Sequence, residues 1–433
     1  MQDREQTESR RPSRSLDPRL RALGVLVVVT AGLLAVFLAI GGGELGANDV
    51  LLSVYVGLFA VYIMYRTGQF ATRVPVYVQG EDRPRTHKMR KTAGGKRFRP
   101  TAPPKYISAA ESDDELQPEE RVIGVEINGQ AVAYPLSAMA LREAANEEVD
   151  DEAVTVTWWP VTYSARAFAA RLPNDPTGEP IELEPGNQTV LNSSVLLDEV
   201  GSGWVQFLGQ AVTGPRAGWQ MKDIPTVSTN WRAWREAHPD TDVLSKEGTP
   251  EFDVFERYYT SDRSGLHRQP ALDKRWMDKE IVLGVEVNGE AKAFPYSALI
   301  EQPLVQEDIG GEPVLVVLER ISATALAFSR RVDGRTLRFV KDSPNPRRPE
   351  MGEDFRPEDI RYEPLYLRDE ETGSRWQMIT GECVEGELKS ARLSMLPGKT
   401  AFWFAWTHFY PNAAVVEPPI PVEPEAAPAE PAA

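Results

Sequence analysis

Arg142, Glu143, Asn146, Trp158, Trp159, Thr162, Tyr163 and Trp204 are the residues of this 433-residue chain whose types and spacing best suit chemistry. Arg142 and Glu143 set a permanent cation beside a carboxylate, and Asn146 follows with an amide. The tryptophans and Tyr163 add stacking surface. A cation, a carboxylate, an amide and aromatic faces together describe a small-molecule pocket. In a catalytic reading, Glu143 is the acid or base and Arg142 clamps an anion. A carboxylate beside an Arg has a depressed pKa, however, and is a poor proton donor at neutral pH. Arg142 beside Trp159 also suits a cation–π pair. The competing reading is packing, in which the tryptophans fill core volume and Arg142 pairs with Glu143 or another carboxylate.

The other reactive residue types exclude more than they offer. A single cysteine, Cys383, rules out an intrachain disulfide and any Cys-x-x-Cys metal or redox site. It is expected to be a buried, inert thiol. His87, His238, His267 and His408 lie far apart without metal-ligand spacing, so neither a metal nor a cofactor is expected. His238, just before Pro239 at a helix end, is expected to act as a cation on the helix dipole. The net charge of −16 argues against nucleic acid as a partner, because phosphate binding needs a basic face.

The elements that must position these residues are organised by a stretch that occurs twice. Residues 124–135 read Gly-Val-Glu-Ile-Asn-Gly-Gln-Ala-Val-Ala-Tyr-Pro, and residues 284–295 read Gly-Val-Glu-Val-Asn-Gly-Glu-Ala-Lys-Ala-Phe-Pro. Apolar and polar residues alternate on both sides of Asn-Gly, the pattern of a β-hairpin closed by a primed turn. Residues 124–168 and 284–328 share 17 of 45 positions without a gap, at an offset of 160. Further on the offset becomes 172, matching Trp204 with Trp376, Trp231 with Trp403 and Trp234 with Trp406. The difference fits a loop insertion around 342–359.

The expected architecture is therefore mainly β (α+β): two tandem pseudo-symmetric β-rich repeats with few short helices, over 101–245 and 280–417, joined by a connector over 246–279. Strands are expected at 122–127, 131–134, 154–159, 165–171, 204–207 and 211–213. A helix is expected over 229–237, capped by Ser228, and a short one after Pro135 within 137–145.

Ahead of the repeats lie a basic arm over 1–22, two apolar runs within 23–66 and a basic linker over 67–100. The first run is long enough for a transmembrane helix, and the second ends in the aromatic residues of an interfacial belt. A cleaved signal peptide and a buried helix are the alternatives. Both flanks are basic and the intervening loop is not, which places the large domain on the cytoplasmic side of the cell membrane as part of a multi-pass protein. The same basic flanks suit anionic lipid headgroups. The Pro/Ala/Glu-rich tail over 418–433 is expected to be disordered.

Several stretches together carry a family resemblance: Pro103-Pro104-Lys105-Tyr106-Ile107-Ser108, Val122 to Pro135, Trp204 to Leu244, Leu283 to Pro295, and Ala401-Phe402-Trp403-Phe404-Ala405-Trp406. The chain over 103–417 resembles the domain-of-unknown-function family 3179. The resemblance implies a His-Glu pair after the first hairpin and a Tyr-Cys-Pro-Leu-Cys-Gly run on the next strand, groups suited to metal or redox chemistry. This chain has Arg142-Glu143 and Trp158-Trp159-Pro160-Val161-Thr162-Tyr163 there instead, so Trp159 and Thr162 replace the two thiols. Two functions follow as expectations. The first is a membrane-anchored, non-catalytic binding or assembly module for a small molecule or protein. The second is an enzyme using Glu143 and Arg142 in an aromatic pocket.

Overall fold

The computed structural model describes residues 18–40, 46–66, 72–77, 84–92, 103–173, 175, 177–250, 253–342 and 366–417. Most of the basic arm, nearly all of the expected insertion and the acidic tail lie outside these residues. The first two helices, α1 (Pro18–Ile40) and α2 (Ala47–Arg66), are long and apolar enough to cross a bilayer. Their outer faces carry exposed Val28, Leu51 and Phe59. They meet where Gly57 leaves no room for a Cβ against Thr30 and Leu26.

The rest is strand-rich. Arg121–Ile127 pairs with Gln130–Pro135 in the first hairpin, and Ile281–Val287 with Glu290–Pro295 in the second. Asn128 and Gly129 have φ of 49° and 91°, and Asn288 and Gly289 have 47° and 89°, the left-handed pair that a primed turn requires. The two hairpins have the same register: Gly124 faces Ala133, and Gly284 faces Ala293. Each continues, through Pro135 or Pro295, into a short helix, α3 (Leu136–Arg142) or α6 (Tyr296–Glu301). Between these lie α4 (Trp231–Ala237) and α5 (Glu256–Tyr259), and the chain closes with α7 (Trp403–Phe409). Much of the element order of 121–244 is repeated in 281–415, which adds the short strand pair Arg331–Val332 and Arg335–Thr336 and has no named strand corresponding to Lys222–Ile224.

Each hairpin strand that contains the repeated Gly-Val-Glu is flanked by a strand leading into a tryptophan helix. Val227–Asn230 lies beside the first and leads into α4; Gly398–Phe402 lies beside the second and leads into α7. The helix then folds back over the hairpin. A Cβ at Gly124 would sit 2.1 Å from the Trp234 ring, and one at Gly284 would sit 1.8 Å from the Trp406 ring. Only glycine admits an indole lying flat on the strand.

Two of the cores run across the two halves, while the others lie within one half. One joins Val122, Trp231 and Trp234 to Leu315, Phe328 and Trp376. Another joins Val205, Phe207 and Leu208 to Trp403, Trp406 and Phe409. Phe207 and Phe409 stack with centroids 4.5 Å apart. Backbone and side-chain bonds add to this, with Phe402 N–H donating to Thr162 O at 2.9 Å and Thr324 Oγ1 to Thr229 Oγ1 at 2.6 Å.

Three sequence expectations change. The helix expected from 229 starts at Trp231, and its cap is Asn230, whose side chain accepts from Ala233 N–H at 2.9 Å. Ser228 is instead part of a strand, because residues 227–230 pair with the hairpin. The helix after Pro135 stops at Arg142, and residues 144–149 form a strand. Finally, the stretch expected to be a linker contains strands Arg73–Val76, Arg85–Lys88 and Arg90–Lys91; Val74 and Val76 are buried with the α7 residues, and Arg90–Lys91 pairs with Glu184–Val190.

Gly284→Ala is expected to destabilise the fold by about 1–3 kcal/mol through overpacking against Trp406. An unchanged denaturation midpoint would show that the indole does not lie on this strand. A fragment beginning at Thr72 is expected to melt higher than one beginning at Thr101, since the shorter one loses Val74 and Val76; equal midpoints would contradict that packing.

Candidate functional site

The residues singled out in the sequence divide among three places. Glu143 ends α3 with φ of 64°, and its carbonyl accepts from Trp158 N–H at 3.1 Å. The strand pairing thus brings Arg142-Glu143 up to Trp158-Trp159. Here the side chains are committed to structure. The Glu143 carboxylate accepts from Ser194 Oγ at 2.8 Å, and Trp159 Nε1 donates to Asn192 O at 2.7 Å. Trp158 is fully buried, with its ring edge-on to Tyr163 at 5.0 Å. Thr162 joins a buried hydroxyl–amide chain through Ser164 to Gln206, with links of 2.7 and 2.8 Å.

Asn146 stands on the strand Ala144–Val149, where it braces residue 183: its amide donates to Leu183 O and accepts from Leu183 N–H, both at 3.0 Å. Trp204 belongs to a third cluster. Its Nε1 donates to Asp198 at 2.9 Å, and Asp198 in turn binds Arg216 at 2.9 Å. Asn146 and Trp204 therefore stand apart from Glu143 as braces for separate buried segments.

The titratable group that sequence reasoning passed over is Glu147, which shares Tyr106 as a neighbour with Arg142. It occupies the strand face shared by Ala145 and Val149, and burial pushes its carboxyl up to about 7. Asp242 raises it further, while Tyr106 opposes. Burial also pulls the Arg142 guanidinium below its usual range, countered by Tyr106.

A cavity of about 400 Å³ lies where the first hairpin meets residues 379–395 of the second half. Glu126, Trp234, His238, Thr380 and Arg392 line it. The His238 ring lies over Trp234, with centroids 4.1 Å apart, and its Nε2 is 3.9 Å from Glu126. Arg392 holds the other Glu126 oxygen. Burial pulls the His238 imidazole below its usual range, Glu126 partly restores it and Arg392 opposes. Burial thus disfavours the charged form of this ring, which lies over an indole, and works against the helix-dipole cation expected from sequence.

The second half holds corresponding residues in a different state. Glu286 corresponds to Glu126, Tyr410 to His238 and Lys399 to Val227. Tyr410 stacks on Trp406 at 4.1 Å and donates to Glu286 at 2.6 Å. Lys399 is 5% exposed, and its Nζ reaches Glu286 and Tyr410 at 2.5 Å each. In the first half Val227 stands in the lysine's position and lines the cavity. The signal for this site was present in the sequence as the Val227/Lys399 and His238/Tyr410 exchanges at offset 172. Cys383 is buried, as expected, and its thiol is raised by that burial.

Residues 100–413 match the family model described as "Protein of unknown function (DUF3179)". No curated protein and no solved structure matches the chain.

The sign of the Glu147 shift sets a pH dependence. Its folded pKa lies above the ordinary 4.5, so its stabilising proton is fully present below pH 4.5 and lost as pH rises through about 7. Glu147→Gln is expected to raise the melting temperature at pH 8 and leave it nearly unchanged at pH 4.5. An equal shift at both pH values would contradict a buried, proton-binding carboxyl.

Proposed function

The chain belongs to the family of proteins of unknown function described as DUF3179, and from that premise we propose that it is a membrane-anchored, non-catalytic binding or assembly module. The observation that carries this reading is the junction cavity. A carboxylate, an imidazole and a guanidinium converge there on an indole face, in a volume suited to a small ligand. The corresponding place in the other half is filled by Lys399. The Arg142–Glu143 region supports the non-catalytic side of the reading, because Glu143 is held by Ser194 and the tryptophans are core.

We read the repeated order, the shared registers and the reciprocal packing as an internal duplication about a pseudo-twofold axis. In this account one copy kept an open site and the other closed it with a lysine. The apolar helices α1 and α2 anchor the body, and the basic flanks place it on the cytoplasmic side of the cell membrane. A second reading, acid–base chemistry beside Arg142, draws its support from Glu147, whose carboxyl is held near neutrality.

A thermal-shift screen of small metabolites on the full chain in detergent tests the binding reading. Compounds that raise the melting temperature are expected to lose that effect in Glu126→Gln and in Arg392→Gln. Turnover of a compound that is abolished by Glu147→Gln or Glu143→Gln would overturn the non-catalytic reading. Reporter fusions at Gly46 and at the C-terminus are expected to report opposite sides of the membrane; an external C-terminus would reverse the orientation.

A further inference from the structure

A second cleft, remote in chemistry from the junction cavity, has a volume of about 160 Å³, and its lining includes Lys88, Arg90, Thr189, His267 and Gln269. Its cations Lys88 and Arg90 come from one part of the chain, and the imidazole of His267 from another. Lys88 ends the strand Arg85–Lys88, Arg90 begins the next strand opposite Thr189, and His267 comes from the connector. No carboxylate is among its lining residues. That is notable in a chain of net charge −16.

The imidazole of His267 is fixed in place. Its Nε2 lies 3.0 Å from Thr189 Oγ1, its backbone N–H donates to Asn192 Oδ1 at 3.0 Å, and Asn192 donates to Gln269 at 2.7 Å. Asn192 O is also the acceptor for Trp159, so the tryptophan in the thiol position buttresses the wall of this cleft. After burial, the influences on His267 are Arg90 and Arg263, both of which lower its pKa. Arg263 itself donates to the carbonyls of Gly265 and Leu266. Among the described residues no ion pair joins Lys88, Arg90 or Arg263 to a carboxylate.

Cations gathered around hydroxyl, imidazole and amide groups, with no carboxylate among the described lining residues, are the donor set of an anion site. The volume suits a single phosphate group, and the threonine, imidazole and guanidinium groups suit its oxygens. Arg73, on the strand paired with Arg85–Lys88, follows the end of α2 at Arg66 by a few residues. At ~3.5 Å per residue this keeps Arg73, which pairs with Lys88 of the cleft, within about 25 Å of that helix end.

We propose that this cleft binds a phosphate monoester, carried either by an anionic lipid headgroup or by a soluble phosphate. This proposal is independent of the junction cavity and of whether the chain is catalytic. It is tested with the full chain in detergent micelles, titrated with inorganic phosphate by calorimetry, and in parallel in mixed micelles containing phosphatidic acid. Saturable binding in either titration, weakened about tenfold or more by Arg90→Gln, is the expected result. Saturation by inorganic phosphate identifies a soluble ligand, and saturation only with phosphatidic acid identifies a headgroup. Arg73→Gln, which removes the same charge outside the cleft, is expected to change the affinity less than twofold. Equal weakening by Arg73→Gln and Arg90→Gln, or binding that does not saturate in either titration, would overturn the proposal. A melting curve for Arg90→Gln that matches the parent confirms that the loss is local.

Discussion

The body of this protein depends on an indole resting flat against a glycine, twice. Trp234 covers Gly124 and Trp406 covers Gly284, each at a distance that a methyl group would occupy. The contact fixes where α4 and α7 sit, and those helices carry the residues that reach the other half. Trp231 and Trp234 join a core with Leu315 and Phe328, while Trp403 and Trp406 join one with Val205 and Phe207. One face of each hairpin is buried within its own half, around Ile123 and Val125 or Leu283 and Val285, but the face carrying the tryptophan is buried only with residues of the other half. Large aromatic side chains in such positions contribute several kcal/mol each, so the halves are strongly interdependent.

The same arrangement creates the candidate site. Beyond the covering tryptophan, each helix ends in a ring stacked on it, His238 in one case and Tyr410 in the other. Each ring faces the glutamate of the repeated Gly-Val-Glu. In the second half a buried lysine satisfies that glutamate, which makes a closed polar cluster. In the first half the lysine position is valine, and Arg392 reaches across from the other half instead. The Val227/Lys399 and His238/Tyr410 differences thus accompany the contrast between a closed polar cluster and an open pocket.

Much of the fold was legible in the sequence, because its signals are local. Asn-Gly between alternating strands specifies the hairpins, and Pro135 and Pro295 mark the starts of the following helices. What escaped was set by tertiary pairing. Ser228 resembles a helix cap, yet strand pairing along 227–230 moves the cap to Asn230. Residues 73–91 read as a basic linker because the buried face, Val74 and Val76 with Met89 beside them, is short among many charged residues. Site residues were harder still. Glu143 and the neighbouring tryptophans have suggestive types, but their bonds to Ser194 and Asn192 come from segments distant in sequence. Glu126, His238 and Arg392 converge only because the two halves pack across one another.

Separate expression of 72–245 and 280–417 is the most direct test of this mutual dependence. Each half alone is expected to lack a cooperative unfolding transition, and mixing is expected to restore a one-to-one complex that melts as a unit. Cooperative melting of either half by itself, near the midpoint of the intact chain, would contradict the account.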